Sequence, residues 1–283
     1  MIKEWILEYK PKTSTQYHQA LREIMQQVAL AGLYRGGFFE KAAFYGGTAL
    51  RIFYGLNRFS EDLDFSLLQK QEGFSLLDYV KEIENEFLAV GIVVSIQSKQ
   101  KAVSSPIESA FLKSETLWSE LVVQSVLPEL GLSEGPKLKI KIEVDTRPPL
   151  GFETEEKLLL KPFSFYVKCF VQEDLFAGKM HALLYRKWVH NVKGRDWYDM
   201  EWYIRKGVEL NLSHFVLRAK DSGDWNKDSI SPEEFKILLK ERIRSVNLET
   251  AKRDAIRFIS NPAELSVWSR QYFLDLVELL KFK

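Results

Sequence analysis

A single cysteine, Cys169, occurs among 283 residues. That scarcity excludes a disulfide framework and a cysteine-built zinc site. The alternating stretch FYVKCFV around it reads as a strand with a small packed thiol. Histidine is sparse too, and His18, His181, His190 and His214 show no ligand spacing, only His181 lying close to a motif. No apolar run approaches the roughly eighteen residues of a membrane helix. The opening MIKEWILEYKPK carries charge too early for a secretory signal, so the expected place is the cytoplasm, with no membrane partner. Charge of one sign is missing as well: 40 Lys+Arg against 39 Asp+Glu give a net charge of +1, which excludes a nucleic-acid footprint spread over the whole surface.

What is present is an ordinary globular composition, 46% hydrophobic and 28% charged, at a length that buries a real core. The charge is unevenly placed. Between Lys157 and Lys206 there are ten Lys/Arg against five Asp/Glu, a local excess suited to phosphates. Tyr17, Leu21, Ile24, Met25 and Val28 fall at helical spacing over 14–33, with Thr13 and Gln16 as a capping pair. FFEKAAFY reads as a strand running into Gly46-Gly47, and TALRIFYG as a short helix from Thr48. EDLDFSLL and LKIKIEVD alternate as strands, a helix spans 76–90, and IVVSI follows as a strand; 97–130 has no clear pattern. Pro148-Pro149 marks a break, FSFYVKCFV adds a strand, and from Glu173 onward the pattern is helical, including a Ser231-Pro232-Glu233-Glu234 capping box. The expected fold is α/β, a small mixed sheet flanked by helices over 1–172, followed by an all-helical part over 173–283.

Chemistry is concentrated on two features. In EDLDFSLL, Leu63, Phe65 and Leu67 take one face, so Asp62 and Asp64 project side by side from the other. Two such carboxylates can share divalent cations that bridge a triphosphate, and Glu143, or alternatively Asp145, can complete the set. An acidic solvent face is the plainer reading of the pair. The second feature is Gly46-Gly47-Thr48 between a strand and a helix, where backbone N–H groups approach phosphate oxygens and the helix dipole favours negative charge. Read alone, a glycine pair is only a turn. The order strengthens it: thirteen residues separate Thr48 from Asp62, room for one short helix and a loop.

FYGGTALRIFYGLNRFSEDLDFSLL resembles the signature of the AbiEii/AbiGii toxin family, within the DNA polymerase β-like nucleotidyltransferase superfamily. The resemblance continues through IKIEVDTR, DLFAGKMHALLYRK, KGRDWYDMEWY and NPAELSVWS, most of the chain. It departs from the usual glycine-serine turn in having Thr48, and its spacer is longer. The resemblance implies a metal-dependent nucleotidyltransferase in which Gly46, Gly47 and Thr48 hold phosphates, Asp62 and Asp64 bind Mg2+ (or Mn2+), and Glu143 is the third acid. It implies that Lys179 contacts the triphosphate and that Asp199, with Asp196, belongs to an Arg-Asp-x-x-Asp element supporting catalysis. For that element, an intrahelical Arg195–Asp199 bridge is the alternative. Arg58 and Ser60, inside the signature, are candidates to steer the NTP, as is Arg51. Arg186, Lys187 and Lys193 are the candidate surface for an RNA acceptor. The implied partners are an NTP substrate, an RNA such as the tRNA acceptor end, and an antitoxin encoded beside the chain in a toxin-antitoxin or abortive-infection system. A kinase-like or AMP-adding activity on protein, or nucleotide binding without catalysis, are the alternatives.

Overall fold

The computed structural model describes residues 2–98, 116–123, 139–186 and 192–283. Two helices open it, α1 (Ile2–Glu8) and α2 (Ser14–Arg35). Thr13 Oγ1 accepts the Gln16 N–H at 3.2 Å and Gln16 Oε1 takes the Lys12 N–H at 2.7 Å, so the capping pair forms as the sequence predicts. FFEKAAFY does not form one strand. Phe38–Glu40 is a 3-10 turn and only Ala42–Tyr45 is extended, as β1. Phe38 and Phe39 are both buried in the 3-10 turn, and Phe38 packs edge-on against Phe65 and Tyr79. Next come α3 (Gly46–Tyr54), β2 (Asp62–Leu67), α4 (Val80–Ala89) and β3 (Val94–Ser98). The patternless stretch contributes β4 (Thr116–Val123), and the rest of 99–138 lies outside the described residues.

With β5 (Lys139–Asp145), β6 (Thr154–Leu159) and β7 (Phe165–Phe170), these strands form a seven-stranded mixed sheet in the order β3-β4-β5-β2-β1-β7-β6. The β2/β5 and β1/β7 pairs are parallel, the remainder antiparallel. One face is apolar at its centre. Leu63, Phe65, Ile140, Ile142 and Val144 are fully buried there, joined by Ile24 and Val28 of α2 and Ile83 and Phe87 of α4 in one core. Each large side chain so buried contributes about 1.5–3 kcal/mol, and this fixes which face of β2 and β5 turns the other way. A one-residue slip in either strand would bury carboxylates.

The helical part comprises α5 (Gln172–Tyr185), α6 (Gly194–Lys206), α7 (Leu212–Asp221), α8 (Pro232–Ser245), α9 (Leu248–Ala255) and α10 (Arg270–Glu278). The capping box at Ser231 and Glu234 is formed. Helices do not account for all of it, since β8 (Glu209–Leu210) and β9 (Lys281–Phe282) make a short parallel ladder that ties the chain's last residues to the α6–α7 link. A second buried cluster runs through these helices and takes in Ala43, Leu50, Leu56 and Phe170, so the helical body packs on the β1/β7 side of the sheet. The acid-bearing part of that face, on β2 and β5, stays polar. Among the described residues no helix is long and apolar enough to cross a membrane.

Two buried histidines make this body acid-sensitive. Burial, helped by Arg218, lowers His181 to about 4 and His214 to about 3. Both are therefore neutral in the folded protein at pH 5, whereas the unfolded chain protonates them below about 6.5. Each is expected to remove on the order of 2 kcal/mol of stability between pH 7.5 and pH 5. His214, packed edge-on to Phe152 and Phe170, is the cleaner probe. Urea denaturation of His214→Leu at the two pH values is expected to show a smaller acid loss than wild type, and an equal loss would refute the assignment.

Candidate active site

The glycine turn is built where β1 ends. Gly46 adopts φ +82°, and a Cβ placed on it would lie 2.4 Å from Asp64 Oδ2. Only a residue without a side chain lets the backbone lie against that carboxylate. A Cβ on Gly47 would lie 2.8 Å from Arg58 Nη2 and 2.9 Å from Ser60 Oγ. The helix α3 begins at Gly46, two residues earlier than the sequence predicts, and its N-cap Tyr45 supplies no side-chain cap. The first-turn N–H groups thus have no side-chain acceptor at the cap position. Thr48 is fully buried and its hydroxyl donates to the Asp62 carbonyl, tying the turn to β2.

Gly46→Ala combines the left-handed strain with this collision. It is expected to destabilise the protein by about 1–3 kcal/mol and to displace Asp64. Denaturant unfolding and a transfer assay check this, and wild-type values in both would show that the turn tolerates a side chain.

Strand register brings the acids together. Asp64 stands opposite Tyr45 on one side and Glu143 on the other, while Asp62 stands opposite Lys141. Directly opposed residues share a face, so Asp62, Asp64, Lys141 and Glu143 form one polar floor, each half-buried. Burial, with the negative charges of Asp62 and Glu143, pushes Asp64 up to about 7, with Lys179 and Arg186 pulling the other way. Asp62 is raised too, by burial above all, with Lys141 opposing. Asp145 lies one pleat further along, opposite Ser66, buried and accepting the Arg147 N–H at 3.1 Å.

The cations come from α5 and its surroundings. Lys179 Nζ lies 3.0 Å from Asp196 Oδ1 and 2.9 Å from Asp199 Oδ2. Arg186 contacts the other Asp196 oxygen at 3.3 Å. Burial alone would raise Asp196, but Lys179 and Arg186 outweigh it and hold that carboxyl well below its ordinary range. Arg58, only 2% exposed, clamps Asp199 with two bonds of 2.6 Å and gives a third to the Phe59 carbonyl. Its guanidinium is thus a strut between Gly47 and α6. The alternative Arg195–Asp199 bridge does not form: Arg195 contacts Glu61 at 3.3 Å and Asp254 at 4.0 Å. Arg51 binds Glu23 at 2.9 Å and the Leu56 carbonyl. Lys193 stands at the α6 N-cap position, with burial lowering its pKa, and Lys187 and His190 lie outside the described residues.

Two participants escape a reading by motif. Lys141 joins the floor only through its register with Asp62, and Glu61 bridges Arg22 of α2 and Arg195 of α6. The alternation of LKIKIEVD carries a signal for the first, since it puts Lys141 on the face of Glu143. Nothing in the sequence points to the second.

The acids of β2 and β5, the uncapped glycine turn and the Lys179 and Arg186 cations thus lie close together, a combination whose chemistry suits phosphate oxygens. A family model described as "Nucleotidyl transferase AbiEii toxin, Type IV TA system" matches residues 28–276, and the chain belongs to that family. Among solved structures it is similar to MenT4, a nucleotidyltransferase toxin from Mycobacterium tuberculosis H37Rv, at 16% identity and a TM-score of 0.48, covering 99% of this chain and 98% of that one. It is also similar to JHP933 from Helicobacter pylori, at 16% identity and a TM-score of 0.47, covering 92% and 93%. A comparison with curated proteins found no match.

Proposed function

We propose that the chain moves a nucleotidyl group from an NTP to a hydroxyl of RNA, with the tRNA acceptor end as the first candidate, acting as a toxin restrained by an antitoxin partner. The observation that supports this most is the register that sets Asp64 between Glu143 and the glycine turn, with Asp62 beside it. In this reading the acceptor oxygen attacks the α-phosphorus, a new P–O bond forms, the α–β bridging bond breaks, and pyrophosphate departs. The first-turn N–H groups of α3 at Gly46, Gly47 and Thr48 bind the phosphates. The Thr48 hydroxyl serves by locking the turn, since its proton is committed to Asp62. Lys179, aimed by Asp196 and Asp199, stabilises the departing charge. Arg58 positions Gly47 and Asp199 from behind, and Ser60 shares that support.

Asp62, Asp64 and Glu143 offer hard oxygen donors of the kind Mg2+ or Mn2+ prefers, and Asp64's raised pKa marks a site short of positive charge. Bound there, such an ion would neutralise the triphosphate and favour loss of the acceptor proton. Glu143, directly opposite Asp64, is better placed for this set than Asp145, which stands opposite Ser66 and already accepts the Arg147 N–H. The catalytic part is 1–172 and the helical part 173–283, whose buried cluster also takes in Ala43, Leu50, Leu56 and Phe170 and so joins the two parts.

Incubation with each α-labelled NTP and total cellular RNA, with the Asp62→Ala/Asp64→Ala variant as control, tests the proposal. RNA is expected to take label from an α-labelled nucleotide and not from a γ-labelled one. Transfer of γ-label would establish kinase chemistry, and nucleotide binding without pyrophosphate release would establish a non-catalytic role.

A further inference from the structure

β5 places a lysine inside the carboxylate floor. Lys141 stands directly opposite Asp62 and shares its face with Glu143 two residues on, because Ile140, Ile142 and Val144 take the buried face. Its ammonium ion-pairs with Glu143 Oε1, and the two side chains are 37% and 26% exposed, so the contact is reachable from solvent. Its charge also favours the ionised form of Asp62. Among the described residues no group of three His, Cys, Asp or Glu side chains closes around one point. Carboxylates crowded on one strand face repel each other, and a lysine at this register offsets part of that repulsion. An ammonium and a divalent cation cannot share Glu143 without strong mutual repulsion.

We propose that Lys141 is the built-in counter-cation of the acidic floor, holding Glu143 and Asp62 while no divalent ion is bound and releasing Glu143 when one enters. This rests on the metal-binding reading of Asp62, Asp64 and Glu143. Lys141 then sets the floor's affinity for a free divalent ion below what three carboxylates alone would give. The ion loads best together with a triphosphate, whose charge adds oxygen ligands and attracts the displaced ammonium. Lys141 is thus a positioning residue, acting through the acids.

Mn2+ binding to the full chain without nucleotide, followed by electron paramagnetic resonance, tests this in wild type, Lys141→Met and Lys141→Arg. Lys141→Met is expected to bind Mn2+ about tenfold tighter or more, since even water-like screening leaves that much repulsion between the two cations at about 5 Å. Lys141→Arg is expected to match wild type. In EDTA, Lys141→Met is expected to melt below wild type and to recover when Mn2+ is added. Should methionine fail to fold there, Lys141→Gln provides the same comparison. Equal Mn2+ affinity in wild type and the neutral variant, or a neutral variant that melts no lower in EDTA, would overturn the role of Lys141 alone. Absence of Mn2+ binding in all of them would overturn the metal reading of the acids and this proposal with it.

Discussion

Asp64→Asn is expected to lower nucleotidyl transfer by a factor of about a thousand or more while making the protein more stable at pH 8. The first effect follows from position. Asp64 stands between Glu143 and Gly46, so an amide there removes negative charge from the centre of the floor without changing its shape, and losing one such group typically costs 10²–10⁴ in rate, roughly. The second follows from the sign of the pKa shift. An acid whose folded pKa is raised to about 7 from an ordinary value near 4 destabilises the folded state once both forms are ionised, and that penalty fades as pH falls through 7 towards 4. Because Asp64 is half-buried and partly screened, the gain in Asp64→Asn at pH 8 is on the order of 2 kcal/mol. Urea unfolding at pH 8 and pH 4, beside a transfer assay, checks both halves. An active variant, or one less stable than wild type at pH 8, would show that Asp64 is held for packing and not for chemistry.

How much of the site can be read along the chain depends on how local the deciding contacts are. Asp62 and Asp64 are legible because a strand's period of two is local, and the buried Leu63, Phe65 and Leu67 leave no choice of face. The same period marks Glu143 and Lys141, but their placement opposite Asp64 and Asp62 depends on a parallel pairing between strands some eighty residues apart in the chain. At Asp199 helical spacing offers only the bridge alternative. Four residues after Arg195 it reads as half of a surface bridge, yet Asp199 is fully buried and its partners are Arg58 and Lys179. An exposed i, i+4 pair contributes a few tenths of a kcal/mol, so the demand of a buried carboxylate for compensating charge decides the rotation of α6 instead. β6 is missed for the converse reason. It is an edge strand, TEEKLL, with charged residues on both faces and Leu158 exposed, so its hydrophobicity does not alternate even though its burial does.

The Arg58–Asp199 clamp carries the other large effect. Both groups are almost wholly buried, joined by two 2.6 Å bonds that cross from the loop before β2 to α6, so neither charge has water to return to when its partner is lost. Burial by itself would lower the Arg58 pKa and raise that of Asp199, and each reverses the other's shift. Asp199→Leu is therefore expected to destabilise the protein by about 3–5 kcal/mol, chiefly through the stranded guanidinium. Adding Arg58→Met removes that stranded charge, so the double variant is expected to recover most of the loss in a urea titration. Activity is not expected to return with stability. Lys179 still lacks Asp199, and Gly47 still lacks the guanidinium beside it. A double variant that regained transfer together with its fold would mean that the clamp serves stability alone, whereas a stable and inactive one would separate the strut from the site it aims.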